Sequence, residues 1–180
     1  MLYKKDHLKV RELQKKDNIL LSKWLSDPLV LEFYEGRDNS FNVEKVNKEF
    51  YNDDRDVTRC IVMYEEVSIG YIQYYLVNAA TSSISVEHDE VVYGLDQFIG
   101  ESTYCNMGIG TQLVTSMVDF LVEQKHADKV MMDPQINNKR AIRCYEKCGF
   151  KKIRMLPQHE WHEGAYRDCW LMEYKKLNNR

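Results

Sequence analysis

The segment Tyr104-Cys-Asn-Met-Gly-Ile-Gly-Thr-Gln-Leu-Val114 sets two glycines one residue apart, between a strand-like run and a helix-like one. Val91 to Ile99 precedes it. From Gln112 to Val122 the apolar residues recur at helical spacing, with Leu113, Met117, Phe120 and Leu121 on one face and Val114 and Val118 beside it. A strand, a glycine turn and a helix in that order can cradle a phosphate. Glycine lets the backbone approach an anion closely, and the unpaired N–H groups of the first helical turn point at it. Two glycines also serve a plain tight turn, so the loop alone leaves both readings open. A Walker A loop is excluded, because Gly110 is followed by Thr111 and Gln112 rather than Lys and Ser/Thr. A dinucleotide fingerprint is weakened: Leu113 stands where its third glycine belongs, although the acid Asp133 follows at a suitable distance.

The choice falls to Asn137-Asn-Lys-Arg-Ala-Ile-Arg-Cys-Tyr-Glu-Lys-Cys-Gly-Phe150. Its pattern, Asn-x-x-Ala-x-x-x-Tyr-x-x-x-Gly-Phe, resembles the second signature of the GNAT acyl-CoA N-acetyltransferases, and the glycine loop then resembles that superfamily's pyrophosphate loop. Further segments are similar to the aminoglycoside 6′-N-acetyltransferases of resistant bacteria. These are Trp24-Leu25, Ile69-Gly-Tyr-Ile-Gln-Tyr-Tyr75, Val92-Tyr-Gly-Leu-Asp-Gln-Phe-Ile-Gly100, Met132-Asp-Pro134, Arg140-Ala-Ile-Arg143, His162-Glu-Gly164 and Asp168-Cys169. Together they span nearly the whole chain. One position departs from the pattern: Cys105 opens the loop where the superfamily carries Arg or Gln. That position would lend a backbone N–H rather than a side chain.

Composition agrees with such a protein. A chain of 180 residues is enough for one domain, 1–180, with a substantial core. No run of 18 apolar residues exists and Met1-Leu-Tyr-Lys-Lys-Asp6 lacks a signal-peptide core, so a cytoplasmic location without a membrane partner is expected. The net charge of −3 argues against nucleic acid as a partner. Cys60, Cys105, Cys144, Cys148 and Cys169 are odd in number and irregularly spaced, which reads as reduced structural thiols. His159 and His162 have no evident third ligand, and no metal is assigned.

Along the chain, Leu8 to Leu13 alternates as a strand. Asp17 can cap a helix running through Leu25, which stops before Asp27-Pro28. A short segment, Leu29 to Tyr34, and a helix from Val43 to Tyr51 follow. Arg59 to Tyr64 and Ile69 to Leu76 form a hairpin turning at Glu65-Glu66-Val67-Ser68, and Asn78 to Asp89 is a polar loop. After the strand Val91 to Ile99, the expected elements are a helix (Thr111 to Lys125), a strand (Val130 to Asp133), a helix (Asn138 to Cys148) and strands at Lys152 to Leu156 and Cys169 to Tyr174. The resemblance implies a mixed α/β (α+β) fold of the GNAT type. Its central, mostly antiparallel sheet would be splayed between the fourth and fifth strands and flanked by helices.

The resemblance also implies acetyl-CoA as co-substrate and an amine as acceptor. The loop Asn106, Met107, Gly108, Ile109, Gly110 and Thr111 would hold the pyrophosphate, with Asn138 and Ala141 from the second signature. Gln97, Phe98 and Ile99 would offer free backbone groups to the pantetheine arm, and an N–H there could stabilise an oxyanion. Simple strand packing is the plainer role for these three. Tyr145 stands where family members place the general acid facing the CoA sulfur; the alternative is one more packed tyrosine. Asp96 lies in an apolar strand, where a carboxylate is costly unless paired, so a substrate ammonium is a fitting partner. It could act as base, through a water, or as a positioning group. Asp133 ends the next strand beside it, or merely caps the Asp-Pro turn. Glu32, Glu35, Glu160, Glu163 and Asp168 are further acids among aromatics (Trp24, Phe33, Tyr34, Trp161, Trp170), and each alone reads as readily as a solvated surface acid. The resemblance favours Glu163 for the acceptor rim, and Glu35 and Trp24 are assigned to it as well. The acceptor implied is the 6′-amine of an aminoglycoside. A polyamine or a protein N-terminus would also suit acids lining a cleft, and a non-catalytic acyl-CoA sensor is disfavoured by the presence of Asp96 and Tyr145. Either a monomer or a homodimer is compatible with the sequence.

Overall fold

The computed structural model describes residues 1–52, 56–78, 87 and 89–176. Much of the expected polar loop, 79–86 and residue 88, lies outside the described residues. The strands are β1 (Tyr3–Lys5), β2 (Leu8–Glu12), β3 (Val57–Tyr64), β4 (Val67–Leu76), β5 (Val92–Ile99), β6 (Lys129–Met132), β7 (Lys151–His162) and β8 (Ala165–Lys175). The α-helices are α1 (Asn18–Trp24), α2 (Pro28–Leu31), α3 (Val43–Phe50), α4 (Ile109–Gln124) and α5 (Lys139–Lys147). The eight strands form one sheet in the order β1-β2-β3-β4-β5-β6-β8-β7. Every neighbour pair is antiparallel except β5 with β6. The short β1 was not expected, so the fourth and fifth strands of the sequence reading are β5 and β6.

Those two strands part where the site forms. Their pairing runs only from Val92↔Lys129 to Gly94↔Met131. β5 then stays paired with β4 as far as Ile99, while its other edge is left open. Beyond β6, Pro134 has no N–H to extend the ladder. Its carbonyl instead accepts from Trp170 N–H at 2.9 Å, and Ile136 N–H donates to Asp168 O at 3.0 Å, drawing the chain toward β8.

The helices form where local signals coincide. Asn42 Oδ1 accepts from Lys45 N–H at 2.8 Å to start α3, and Asn138 Oδ1 accepts from Ala141 N–H at 3.2 Å to start α5. Asp27 caps α2 through Leu29 N–H, with Pro28 in the first helical turn. Asp17 departs from its expected role. It precedes α1 but caps nothing there; its carboxylate takes two bonds from Arg11, at 2.7 and 2.8 Å, and one from Gln14 N–H. A guanidinium six residues upstream, folded back from β2, outcompetes the helix end.

Each sheet face carries its own core. On one side Leu113, Met117 and Leu121 of α4 and Ile142 of α5 pack on Val62, Ile72 and Leu95. On the other, Leu21, Trp24, Val46 and Phe50 cover Ile61, Tyr71 and Phe98. Trp24 therefore does not belong to an acceptor rim. It is fully buried, edge-on to Phe98 at 6.1 Å between centroids, and its indole N–H donates to Glu101 Oε1 at 2.8 Å. Gly100 lies against its ring so closely that an added Cβ would stand 2.3 Å from the indole. At Gly110 the nearest atom to such a Cβ is Cys144 Sγ, at an ordinary 3.7 Å. Gly100→Ala should destabilise the protein by about 1–3 kcal/mol through overpacking. Gly110→Ala should fold at least as stably as the parent, and urea denaturation of the two variants checks both expectations.

Candidate active site

A cleft of about 1190 Å³ passes through the gap between β5 and β6. Its two halves are opposite in charge. Arg140, Arg143 and Lys147 line one half, and Glu35, Asp96, Asp133 and Glu160 line the other.

The basic half is built around the glycine loop. Asn106 (φ 62°) and Gly108 (φ 79°) turn the backbone through the left-handed region, and α4 begins at Ile109 with no side chain capping it. The first-turn N–H groups thus stay available to an anion, with the helix dipole behind them. Asn106, Gly108, Gly110 and Thr111 line the cleft. The side chains of Met107 and Ile109 do not: Met107 is exposed and Ile109 is buried in the core. Those two residues have only backbone to offer a ligand. Facing the loop, α5 presents Arg140, Arg143 and Lys147 at helical spacing i, i+3 and i+7, one basic stripe. Asn138 and Ala141 also line the cleft, although the Asn138 oxygen already caps α5.

Tyr145 lies deeper and is buried. Burial pushes its phenol well above the usual tyrosine range, opposed by the Gln97 amide beside it, so the hydroxyl keeps its proton and serves as a hydrogen-bond donor. Gln97, Phe98 and Ile99 of β5 line the same stretch along the open edge.

Asp96 projects into the acidic half. Burial raises its carboxyl to about 6. The Gln73 amide resists that rise, whereas the charges of Asp133, Glu160 and Glu35 add to it. Gln73 Nε2 donates to Asp96 Oδ2 at 2.7 Å, and the hydroxyl of fully buried Tyr71 donates to Gln73 Oε1 at 2.7 Å. The tyrosine fixes which way the amide faces, so the N–H must point at the carboxylate. Gln73 and Asp96 are direct cross-strand partners, as are Tyr75 and Gly94. A Cβ on Gly94 would lie 2.4 Å from the Tyr75 ring, so the glycine makes room for a tyrosine that walls the cleft.

The remaining acids come from the cleft's rim. Asp133 Oδ2 meets His159 Nε2 at 2.8 Å, and that carboxylate raises the His159 imidazole above its ordinary value. Glu35 is raised, chiefly by burial, and accepts from Asn39 at 3.1 Å. Glu163 is already engaged. Arg37 gives it Nε at 2.5 Å, Nη2 at 2.8 Å and its backbone N–H at 3.0 Å, and the guanidinium draws the carboxyl down to about 2. Nearby, buried His162 donates from Nε2 to Glu32 O at 2.9 Å. These contacts tie the β7–β8 hairpin tip to the loop after α2, so Glu163 borders the cleft chiefly as part of a latch.

Among the described residues, no group of three His, Cys, Asp or Glu side chains is placed to hold a metal ion. Likewise, no helix among them is long and apolar enough to cross a membrane.

The family model for an acetyltransferase (GNAT) domain matches residues 14–157. The chain belongs to the GNAT family. It is an acetyl-CoA-dependent N-acetyltransferase, with the phosphate loop on α4 and the cationic stripe of α5 suited to that co-substrate. This GNAT chain is 30% identical over 151 residues to aminoglycoside N(6')-acetyltransferase type 1 of Klebsiella pneumoniae, covering 82% of this chain and 75% of that one. It is 41% identical over 66 residues to a kanamycin resistance protein of Rhizobium radiobacter, covering 37% of this chain and 61% of that one. The structure of AAC(6')-Ib in complex with ribostamycin and coenzyme A superposes with TM-score 0.78 at 26% identity, covering 95% of this chain and 94% of that one.

Sequence reasoning missed several residues of this GNAT site. The basic stripe of α5 was among them, although its helical spacing could have shown it. Gln73 was not legible, because its link to Asp96 depends on the register of two strands joined across a long connection. The partnership of His159 with Asp133 depends on a hairpin twice the expected length. Gln73 stabilises the ionised form of Asp96, so its removal raises that carboxyl's pKa. If catalysis needs the carboxylate, the acid limb of kcat/KM falls near pH 6, following the raised Asp96 carboxyl. Gln73→Met should move that limb to higher pH for the same acceptor, a shift read from parallel pH–rate profiles.

Proposed function

We propose that this enzyme transfers acetyl from acetyl-CoA to the 6′-amine of aminoglycoside antibiotics and so confers resistance to them. The observation that carries this reading is the acidic half of the cleft. Glu35, Asp96, Asp133 and Glu160 converge on it from the α2 exit, β5, the end of β6 and β7. An acceptor with one ammonium needs one carboxylate; four spread around a cavity suit a polyamino sugar. Tyr34, Tyr75 and Trp161 line the same half and offer flat faces to sugar rings. The Klebsiella pneumoniae and Rhizobium radiobacter relatives support the same acceptor class. The free thiols of all five cysteines accord with a cytoplasmic setting.

The chemistry follows from the two halves. Carboxylates draw the acceptor in as an ammonium, and Asp96 receives a proton so that a neutral amine can attack the thioester carbonyl. A carboxyl raised to about 6 is a better base than an ordinary aspartate, while still ionised at neutral pH. Backbone N–H groups on the open edge of β5 can meet the developing oxyanion. Tyr145, kept protonated by burial, can donate a hydrogen bond to the departing thiolate, which leaves as the amine's proton passes to Asp96.

The deciding experiment follows CoA release with a panel of acceptors. Kanamycin A and tobramycin should turn over, whereas an otherwise similar drug with a 6′-hydroxyl, spermidine, and a short peptide with a free N-terminus should release little CoA. Equal turnover of the 6′-hydroxyl drug would sink the 6′ assignment, and faster turnover of spermidine or the peptide would replace the acceptor class.

Asp96→Asn gives a second test. It should lower kcat about 10²-fold or more if the carboxylate is the base. Its effect on stability should run the other way. A carboxyl raised to about 6 when folded, against about 4 when unfolded, favours the folded state at low pH. That contribution is lost as pH rises through the folded value. Asn removes a buried charge above that range, so Asp96→Asn should melt at a higher temperature than the parent at pH 8, with the gap narrowing toward pH 4.

A further inference from the structure

Two side-chain amides on the cleft wall have a buried polar atom with no partner among the described residues. Gln97 Oε1 is a bare acceptor on the open edge of β5. Gln135 Nε2 is a bare donor in the segment between β6 and α5, and that residue is only 4% exposed. Gln135 is fixed at its backbone: it bridges to Cys169 of β8, and its carbonyl accepts from Asn138 N–H at 3.0 Å. A buried donor without an acceptor destabilises a folded protein by about 1–3 kcal/mol. Such a group is retained most readily where a ligand completes it.

We propose that Gln135 is a cofactor-reading residue, whose side-chain N–H donates to an amide carbonyl of the pantetheine arm of acetyl-CoA, with Gln97 Oε1 accepting from an amide N–H of the same arm. Three observations select this ligand. The first is position. Pairing between β5 and β6 ends at Gly94↔Met131, so an arm running from the phosphate loop to the acidic half passes between the open edge of β5 and the segment carrying Gln135. The second is charge. The acidic half offers carboxylates, which suit ammonium groups, whereas an uncharged donor and an uncharged acceptor suit a secondary amide, and pantetheine carries two. The third is availability. The Asn138 oxygen is spent on capping α5, so it cannot serve as a free amide here.

The proposal rests on the CoA dependence of the family and not on the identity of the acceptor. It is tested with Gln135→Met, which keeps the side chain's length and deletes its donor. Calorimetric titration with CoA and with ADP separates the arm from the nucleotide, because ADP lacks pantetheine. CoA affinity should fall about 10-fold, the size of one buried hydrogen bond. ADP affinity should be unchanged, and the ligand-free variant should melt at or above the parent's temperature. Gln135→Asn, which withdraws the donor by one methylene, serves if the Met variant fails to fold. Unchanged CoA affinity would overturn the proposal, showing that the orphaned donor is met by solvent. Equal weakening of CoA and ADP would overturn it as a general distortion of the site. A rise in acceptor KM with normal CoA binding would move Gln135 to the acceptor half and equally defeat it.

Discussion

The site exists because a parallel strand pair stops early. β5 and β6 share three residue pairs, and β6 then gives way to Asp133-Pro134. Proline removes the next donor, and the carbonyl of Pro134 and the amide of Ile136 are taken by Trp170 and Asp168. The remaining half of β5 keeps its partner on one side only. An open strand edge inside a protein is normally a liability, since each unpaired group costs free energy. Here it becomes the wall of a cleft.

The charge distribution follows from which elements reach each mouth of that opening. A helix N-terminus and a basic helical stripe meet at one, a meeting place for phosphate. At the other, carboxylates from four separate elements face one another across a cavity. Burial raises Asp96, and repulsion among the carboxylates adds to the rise. A cation placed in this half would oppose both effects. The histidine beside Asp133 and the arginine on Glu163 moderate that crowding at the rim.

The acceptor wall depends on contacts distant in sequence. Tyr71 orients Gln73, which in turn holds Asp96, so a core tyrosine sets the direction of the candidate base. The hairpin of β7 and β8 contributes Glu160 and Trp161, and it is kept in place by Arg37 on Glu163 and by His162 on the Glu32 carbonyl. The acceptor half is thus assembled from pieces that each lean on another element. The cofactor half is nearly self-contained, being a loop and two helices.

That contrast explains what could be read from the chain alone. The glycine loop, the helices α3, α4 and α5, and the Asn-x-x-Ala-x-x-x-Tyr signature were legible because their signals lie within a few residues: helical periodicity, caps, and glycines at a turn. The GNAT architecture and its splayed strand pair came from the family resemblance those segments carry, while the point of parting after Gly94 came from the structure. Gln73 and His159 were invisible, since strand register and hairpin length couple residues 23 and 26 positions apart. The β7–β8 hairpin was cut short for a local reason. Pro157 and a polar, exposed run hide a strand, and an edge strand tolerates both. Trp24 was placed at the rim because an aromatic near an acid carries no record of which face it buries. Sequence determined the parts that fold on local interactions, and tertiary structure decided which acids meet. Carboxylates gather only when separate elements pack, and the energy that gathers them lies in the core rather than in the carboxylates themselves.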